Sequence, residues 1–196
     1  MIRRISVAAF AILIASGCAD QRIINTGEPP VRTATTTPPP SSPTSNAHLV
    51  NAFDYAAEVG GETGYYFTTP SGKWRCAILP RVKAGCQSAS NWQSGLGIAG
   101  QPSTVPGAAG ETVKPNAIVL DWEGGAHFAA LDKPEFWLTP GPAKVVPFNR
   151  ILAVAGFRCN VQESGVSCLG EPTNNGFTFS ADRYLPQYTD VPPNAP

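Results

Sequence analysis

The sequence predicts a mainly β protein: a small antiparallel, disulfide-stapled domain of the sandwich or barrel-like class with one short N-terminal helix. Three observations support this prediction. Gly and Pro number 19 and 20 among 196 residues, whereas only 14% of the residues are charged, which is typical of short strands joined by many turns. Four cysteines follow residue 75, and short apolar runs bounded by turn residues recur from residue 64 onward.

The first 17 residues have the composition of an export signal. Arg3 and Arg4 supply a positive start, an apolar run of about 11 residues comes next, and Ala15-Ser16-Gly17 places small residues just before Cys18. The apolar run is too short to span a bilayer. We therefore expect residues 1–17 to be a lipoprotein signal peptide and Cys18 to be acylated, with an ordinary cleaved signal as the alternative.

Residues 18–46 differ sharply in composition from the rest of the chain. Between Thr33 and Ser45 no apolar side chain is larger than Ala or Pro, so this segment lacks the surface needed to form a packed core. We expect the acylated cysteine and a disordered, Thr/Ser/Pro-rich tether in this range, and a β-rich extracytoplasmic domain over residues 47–196.

The domain is expected to begin with its only helix. Asn46 is the predicted cap, the apolar side of the helix carries Leu49, Val50, Phe53, Ala56 and Ala57, and Gly60-Gly61 ends it. Strands are predicted at about 64–69, 73–79, 84–89, 115–122, 126–131, 144–147, 150–161, 165–169 and 176–180. Residues 150–180 are expected to form a three-stranded meander.

The cysteines other than Cys18 are Cys76, Cys86, Cys159 and Cys168, an even number that predicts two disulfides in an exported chain. Three connectivities are possible. A two-residue turn at Glu163-Ser164 would place Cys159 opposite Cys168, and Cys76 and Cys86 likewise flank Pro80-Arg81. The local pairs 76–86 and 159–168 are therefore preferred over pairs that join Cys76 to Cys159 or Cys168.

Charge and motif content exclude several classes of function. The 14 Lys plus Arg, less Arg3 and Arg4, leave 12 cations against 14 acids from Cys18 onward, so no basic footprint for nucleic acid exists. There is no C-x-x-C pair, and His48 and His127 are the only histidines, so we expect neither a metal nor another cofactor. The motifs G-x-S-x-G and H-E-x-x-H are absent.

The densest polar cluster is Asp121, Glu123 and His127 around a predicted turn at Gly124-Gly125. Paired carboxylates perform acid–base chemistry on glycosidic bonds when one carboxyl has a raised pKa. The alternative is that these side chains decorate a solvated turn, where acidic residues are common. The cluster is the weak candidate for a catalytic site, and the preferred interpretation is that the protein is not an enzyme.

A second candidate is a contact patch formed by Lys73, Trp74, Arg75, Arg81 and Lys83, four cations around one tryptophan. Such a patch could contact anionic headgroups or wall polymers. The alternative, which we prefer, is a strand that faces solvent on one side and buries Trp74, Cys76 and Ile78 on the other. Trp92, Trp122 and Trp137 are candidates for a sugar-stacking platform, although aromatic residues of small β domains more often lie in the core.

Two segments carry a resemblance to a known family. Phe67-Thr68-Thr69-Pro70-Ser71-Gly72 precedes Cys76, and later segments are Gly156-Phe157-Arg158-Cys159, Gly165-Val166-Ser167-Cys168 and Gly176-Phe177-Thr178-Phe179-Ser180, ending at Tyr184. This pattern is similar to that of uncharacterised secreted proteins and lipoproteins of actinobacteria, mycobacteria especially. It covers about 65–90 and 147–185, and 91–146 lacks the further cysteine pair of many relatives. The resemblance implies a small β-rich exported domain and no particular activity.

Taken together, the sequence predicts a lipoprotein anchored on the outer side of the cell membrane through Cys18. The expected role is a non-enzymatic envelope module that binds a cell-wall polymer or an envelope protein, with no nucleic-acid partner. The alternative is a cell-wall glycan hydrolase that uses Asp121 and Glu123.

Overall fold

The computed structural model describes residues 46–196. The predicted signal peptide, Cys18 and the tether up to residue 45 lie outside the described residues. The described part contains one 3-10 turn, Ala52–Tyr55, and fourteen strands. The strands are β1 (Ala56–Val59), β2 (Glu62–Thr68), β3 (Trp74–Leu79), β4 (Lys83–Ser88), β5 (Val105–Pro106), β6 (Thr112–Val113), β7 (Ala117–Asp121), β8 (Ala126–Ala129), β9 (Lys144–Val145), β10 (Arg150–Val154), β11 (Phe157–Gln162), β12 (Gly165–Gly170), β13 (Asn175–Phe179) and β14 (Tyr184–Leu185).

The strands form two main sheets that pack face to face and do not close into a barrel. The first sheet has the order β1-β2-β3-β4-β7-β8, and β9 pairs with β2 in parallel. The second sheet is an antiparallel meander with the order β10-β11-β12-β13-β14, and β5 pairs with β6 separately. The predicted mainly β, antiparallel class is confirmed.

Alternation along the strands explains where the main core lies. Trp74, Cys76 and Ile78 of β3 are 7%, 0% and 0% exposed and face the second sheet, where Phe157 and Phe177 are fully buried. Because successive side chains of a strand point to opposite faces, the intervening Arg75 and Ala77 face the other side of the first sheet. The core between the sheets is therefore formed by the side chains on one face of β3 and by those of the second sheet that meet them.

Both disulfides lie within this core. Cys76 is directly opposite Cys86 on β4, and Cys159 is directly opposite Cys168 on β12, each pair with a Cα–Cα distance of 4.1 Å. The two-residue turn after Gln162 produces the second register, as its sequence predicts. The structure thus contains the two local pairings preferred from sequence.

The predicted N-terminal helix is largely wrong. Only four residues form a 3-10 turn, its cap is Asn51 rather than Asn46, and Phe53 is 85% exposed instead of packed. Gly60 and Gly61, expected to end the helix, both have positive φ and connect β1 to β2 as a hairpin turn. The short apolar run 56–59 has extended structure because β2 is available as an antiparallel partner.

The predicted strand 150–161 is also corrected. Ala155 and Gly156 both have positive φ, at 53° and 79°, and reverse the chain between β10 and β11. The ring of Trp122 lies against Gly156, so a side chain at that position would collide with it. The meander over residues 150–180 consequently has four strands rather than three, and β14 adds a fifth.

A polar layer covers the outer face of the second sheet. Asn160 Nδ2 donates to the carbonyl of Thr189 at 2.9 Å, and the backbone N–H of Thr189 donates to Ser167 Oγ at 2.8 Å. The hydroxyl of Tyr188 donates to Asp190 Oδ1 at 2.9 Å. These contacts fix the C-terminal segment against β11 and β12 and provide hydrogen bonds for side chains that would otherwise be buried unpaired.

Candidate functional site

The outer face of the first sheet has a row of small residues at its centre. The register places Tyr66, Ala77, Gly85 and Val119 side by side across β2, β3, β4 and β7. Because Ala77 and Gly85 project little or nothing, the face has a depression, and the fully buried ring of Phe136 fills it. This second, smaller core attaches the segment after β8 to the sheet.

Polar contacts hold this covering segment, residues 133–139, against β4. The backbone N–H of Phe136 donates to Gln87 Oε1 at 3.2 Å, and Gln87 Nε2 donates to the carbonyl of Lys133 at 3.5 Å. Lys83 Nζ lies 2.6 Å from Glu135 Oε2, and the two side chains are only 20% and 18% exposed. An ion pair this well removed from water resists screening by salt better than a surface pair does.

A groove of about 760 Å³ opens between the covering segment and the hairpin ends of β1–β2 and β3–β4. We call it the Tyr66–Trp137 groove. Most of its lining is apolar or aromatic, chiefly Val59, Tyr66, Leu79, Val82, Pro134 and Trp137. Its volume lies within the range of small-ligand and peptide-binding clefts.

The charges around the Tyr66–Trp137 groove are largely compensated. The Arg75 guanidinium lies 4.0 Å from the centre of the Trp137 ring, a cation–π contact that holds the indole in place. Glu135 is paired with Lys83, which leaves Glu62 and Lys133, of opposite sign, at the margin. The groove therefore has neither a strongly positive nor a strongly negative lining.

Tyr66 contributes a neutral hydroxyl to the groove. Burial raises the pKa of Tyr66, and the negative charge of Glu62 raises it further. The phenol consequently stays protonated at all physiological pH values and is available as a hydrogen-bond donor and acceptor in a mostly apolar lining.

The predicted contact patch does not form one continuous surface. Trp74 faces the core between the sheets, where its Nε1–H donates to the carbonyl of Leu96 at 3.2 Å. Arg75 and Lys83 project from the opposite face of the sheet and are engaged by Trp137 and Glu135. Lys73 and Arg81 lie in the turns at opposite ends of β3. The separation results from strand alternation. The preferred interpretation is confirmed for Trp74, Cys76 and Ile78, which are buried, but the other side of β3 does not face solvent as expected, because Ala77 is fully buried under Phe136.

The predicted polar cluster is only partly assembled. His127 Nδ1 lies 3.5 Å from Asp121 Oδ2 across the β7–β8 hairpin, and both side chains are 48% exposed. Glu123 is in the turn and has no hydrogen bond or ion pair within residues 46–196. None of the three lines the Tyr66–Trp137 groove. Asp121 and His127 are thus half-exposed surface residues, away from the groove.

The three remaining tryptophans do not form a platform. Trp122 packs edge-on against Phe157 at 5.5 Å between centroids, on the core side of the first sheet. Trp137 lies on the outer side, at the groove. A stacking surface that uses both rings is excluded by this placement.

A second cavity of about 210 Å³ lies where turns of both sheets meet, near Thr69, Ser71, Lys73, Glu163 and Asp182. Thr69 Oγ1 and Ser71 Oγ lie 3.0 Å apart and are hydrogen bonded to each other, and Thr69 Oγ1 also accepts a hydrogen bond from the backbone N–H of Trp74 at 3.4 Å. These hydroxyls stabilise the β2–β3 turn. We assign this cavity a structural role.

The described range offers neither a metal-binding cluster nor a membrane-spanning helix. Within residues 46–196, no three His, Cys, Asp or Glu side chains are grouped in a way that could hold a metal ion. No helix of this range is long and apolar enough to cross a membrane.

Sequence reasoning missed the groove because its two sides are far apart in the chain. Tyr66 and Leu79 are separated from Trp137 by more than 50 residues, and the contacts between Gln87 and Phe136 that join them are long-range. The available signal was the stretch Pro134-Glu135-Phe136-Trp137, an aromatic pair within a proline-flanked loop. Comparisons with protein-family models, with curated proteins and with solved structures give no match to this chain.

Proposed function

We propose that the protein is a lipid-anchored, non-enzymatic interaction module of the cell envelope, fixed to the membrane at Cys18 and binding its partner through the Tyr66–Trp137 groove. The anchor is supported by the positive, apolar and small-residue segments before Cys18 and by the resemblance to actinobacterial lipoproteins. The observation that carries the binding role is the groove itself, an open cleft of about 760 Å³ on the outer face of a rigid sheet.

The composition of the groove supports binding rather than catalysis. Acid–base or nucleophilic catalysis needs a reactive side chain within reach of the bound molecule, with a neighbour that tunes it. The groove is lined by no His, Cys or Ser, and of its two carboxylates Glu135 is paired with Lys83, whereas Glu62 lies at the margin. The candidate residues Asp121, Glu123 and His127 lie outside it.

The charge of the groove favours a protein partner over a cell-wall polymer. Anionic polymers and lipid headgroups are bound by unpaired cations, and here Arg75 and Lys83 are engaged by Trp137 and Glu135. Sugar chains require many hydrogen-bonding side chains, whereas most of this lining is apolar. A partly apolar segment of an envelope protein matches the groove better.

The proposal is tested by capture from crosslinked envelopes with a matched pair of variants. Val82 lies in the groove and is 54% exposed, whereas Val145 lies on β9, away from the groove, and is 43% exposed. Val82→Glu should abolish the enrichment of partners, and Val145→Glu should leave it unchanged. Equal capture by both variants, or no enrichment by the wild type over a protein that carries only the same signal and tether, would contradict the proposal.

The hydrolase alternative makes a separate prediction. The purified full-length protein should release no soluble fragments from peptidoglycan or arabinan, because Asp121 and Glu123 lie outside the groove. Fragment release that disappears in Asp121→Asn would show that the protein is an enzyme and not a binding module.

A further inference from the structure

The first sheet ends in an edge strand, β1, beside the groove. Within residues 46–196, β1 pairs with β2 and with no other strand. The register Val59↔Glu62 closes a two-residue turn at Gly60-Gly61, so β1 and β2 form a tight hairpin. The far side of β1 is consequently an open sheet edge.

The hairpin register determines which backbone groups face outward. In a two-residue hairpin the residues that flank the turn form a hydrogen-bonded pair, and bonded and non-bonded pairs then alternate. Val59 and Ala57 therefore direct their backbone groups toward β2, and Glu58 directs its N–H and C=O away from the sheet. Within the described range, the backbone of Glu58 has no partner on another element.

The equivalent edge of the second sheet is covered by the chain itself. The backbone N–H of Val50 donates to the carbonyl of Ile151 at 2.9 Å, and the N–H of Ile151 donates to the carbonyl of His48 at 2.9 Å. Residues 48–50 thus occupy the edge of β10. Among the described residues this edge is covered and that of β1 is not, although exposed edges are usually blocked in monomeric proteins.

The open edge and the groove are continuous. The side chain of Val59 lines the groove, and Val59 and Ala57 belong to the same outer-face core as Tyr66. A strand added alongside β1 would alternate its side chains between the two faces. Every second side chain would therefore lie next to Val59, toward the groove.

The negative charge of the β1–β2 hairpin indicates which kind of partner strand would add to it. Glu58 and Glu62 form no ion pair within residues 46–196. Two copies of this chain paired edge to edge near Glu58 would bring like charges together, which is unfavourable. A partner with basic side chains beside its apolar positions would be attracted instead.

We propose that the partner is an extended polypeptide segment with alternating apolar residues and flanking Lys or Arg. It adds as a strand to the open edge of β1 at Glu58 and places apolar side chains in the Tyr66–Trp137 groove. This inference rests on the proposed binding function and specifies its ligand. Main-chain hydrogen bonds provide the affinity in this mode of recognition, and the pockets for alternate side chains provide the specificity.

The test uses a fluorescein-labelled hexapeptide amide in which valine and threonine alternate between terminal lysines. Its binding to the detergent-solubilised full-length protein is measured by fluorescence anisotropy. A copy of the peptide that is N-methylated at every internal residue lacks the donors needed for strand pairing. The wild-type protein should bind the unmodified peptide and bind the N-methylated copy at least about tenfold more weakly.

Two substitutions at Glu58 isolate the backbone donor. Glu58→Pro and Glu58→Thr both remove the carboxylate, but only proline removes the N–H, and an edge strand tolerates proline where that N–H faces solvent. Glu58→Pro should raise the Kd about tenfold above that of Glu58→Thr. Thermal unfolding verifies that both variants are folded. The N-methylated peptide tests strand pairing independently, because it removes backbone donors from the peptide and leaves the protein unaltered.

Three results would overturn the inference: no binding of the unmodified peptide, equal binding of the N-methylated copy, or equal Kd values for two folded Glu58 variants. If any of these occurs while Val82→Glu still abolishes capture of envelope partners, the groove remains the binding site and only strand addition is wrong. If Val82→Glu leaves capture unchanged, the proposed function itself fails.

Discussion

The ring of Phe136 lies directly against Gly85 at the centre of the outer face of the first sheet. Glycine at this position of β4 allows the covering segment to approach the strand more closely than any side chain would permit. The approach brings Trp137 beside Arg75 and Glu135 beside Lys83, so one wall of the groove depends on it.

Gly85→Ala should therefore destabilise the domain. An added Cβ would collide with the Phe136 ring and with the carbonyl of Ile118, and overpacking of this kind costs about 1–3 kcal/mol. Urea unfolding measures the change. Gly125→Ala is the matched control, since nothing lies within 4 Å of a Cβ at that glycine. Equal stabilities of the two variants would show that Phe136 does not pack as described.

The two disulfides should contribute similarly to stability. They close loops of nearly equal length, with sequence separations of 10 and 9, and all four cysteines are at most 1% exposed in the same core. Replacing either pair by alanine should lower the free energy of unfolding by about 2–4 kcal/mol. Denaturant titration of the two double variants measures this. Mass mapping of a non-reduced digest provides the check on pairing, and a peptide that joins the 76–86 region to the 159–168 region would contradict it.

Tyr188 should make stability depend on pH only in the alkaline range. Burial raises the pKa of Tyr188 far above its usual value, and Asp190 adds to the effect, while the hydrogen bond from Asn160 opposes it. The folded state therefore favours the protonated phenol. This contribution is complete below about pH 10, the pKa of an unfolded tyrosine, and is lost as pH rises toward the raised pKa.

Absorbance titration of tyrosinate, compared between the wild type and Tyr188→Phe, should show that Tyr188 ionises only when the domain unfolds. The loss of stability above about pH 10 should be smaller in Tyr188→Phe. Ionisation of Tyr188 near this pH in the folded protein would contradict its burial against the outer face of the second sheet.

Cys18→Ser should release the protein from the membrane. A serine hydroxyl cannot form the thioether that carries the acyl chains, and two or more chains are needed for stable anchoring. Metabolic labelling with a fatty-acid probe, combined with fractionation, should show loss of label and a shift to the soluble fraction. Unchanged labelling would show that Cys18 is not the acylated residue.

Local sequence signals predicted the second hairpin well. The two-residue turn at Glu163-Ser164 specifies its own register, and this register pairs Cys159 with Cys168 without reference to the rest of the chain. The N-terminal helix failed because the apolar residues around Ala56 match a helical period as well as a strand. The residues form a strand because β2 is available as an antiparallel partner.

The groove could not be predicted from local sequence patterns. Its wall depends on a hydrogen bond between Phe136 and Gln87 and on an ion pair between Lys83 and Glu135, and both join residues about 50 positions apart. Strand alternation divides the predicted contact patch between two faces, and long-range contacts then engage Arg75 with Trp137 and Lys83 with Glu135. A run of cations in sequence does not show which acids and rings the fold will bring to them.

The central claim, that the groove is the surface through which the anchored protein meets its partner, is tested most directly by site-specific photo-crosslinking in living cells. A photoreactive amino acid is placed at Val82 in the groove or at Val145 on β9, both of which are accessible. We predict a discrete crosslinked product from position 82 and none from position 145. Products from position 145 alone, or the same products from both positions, would contradict the account.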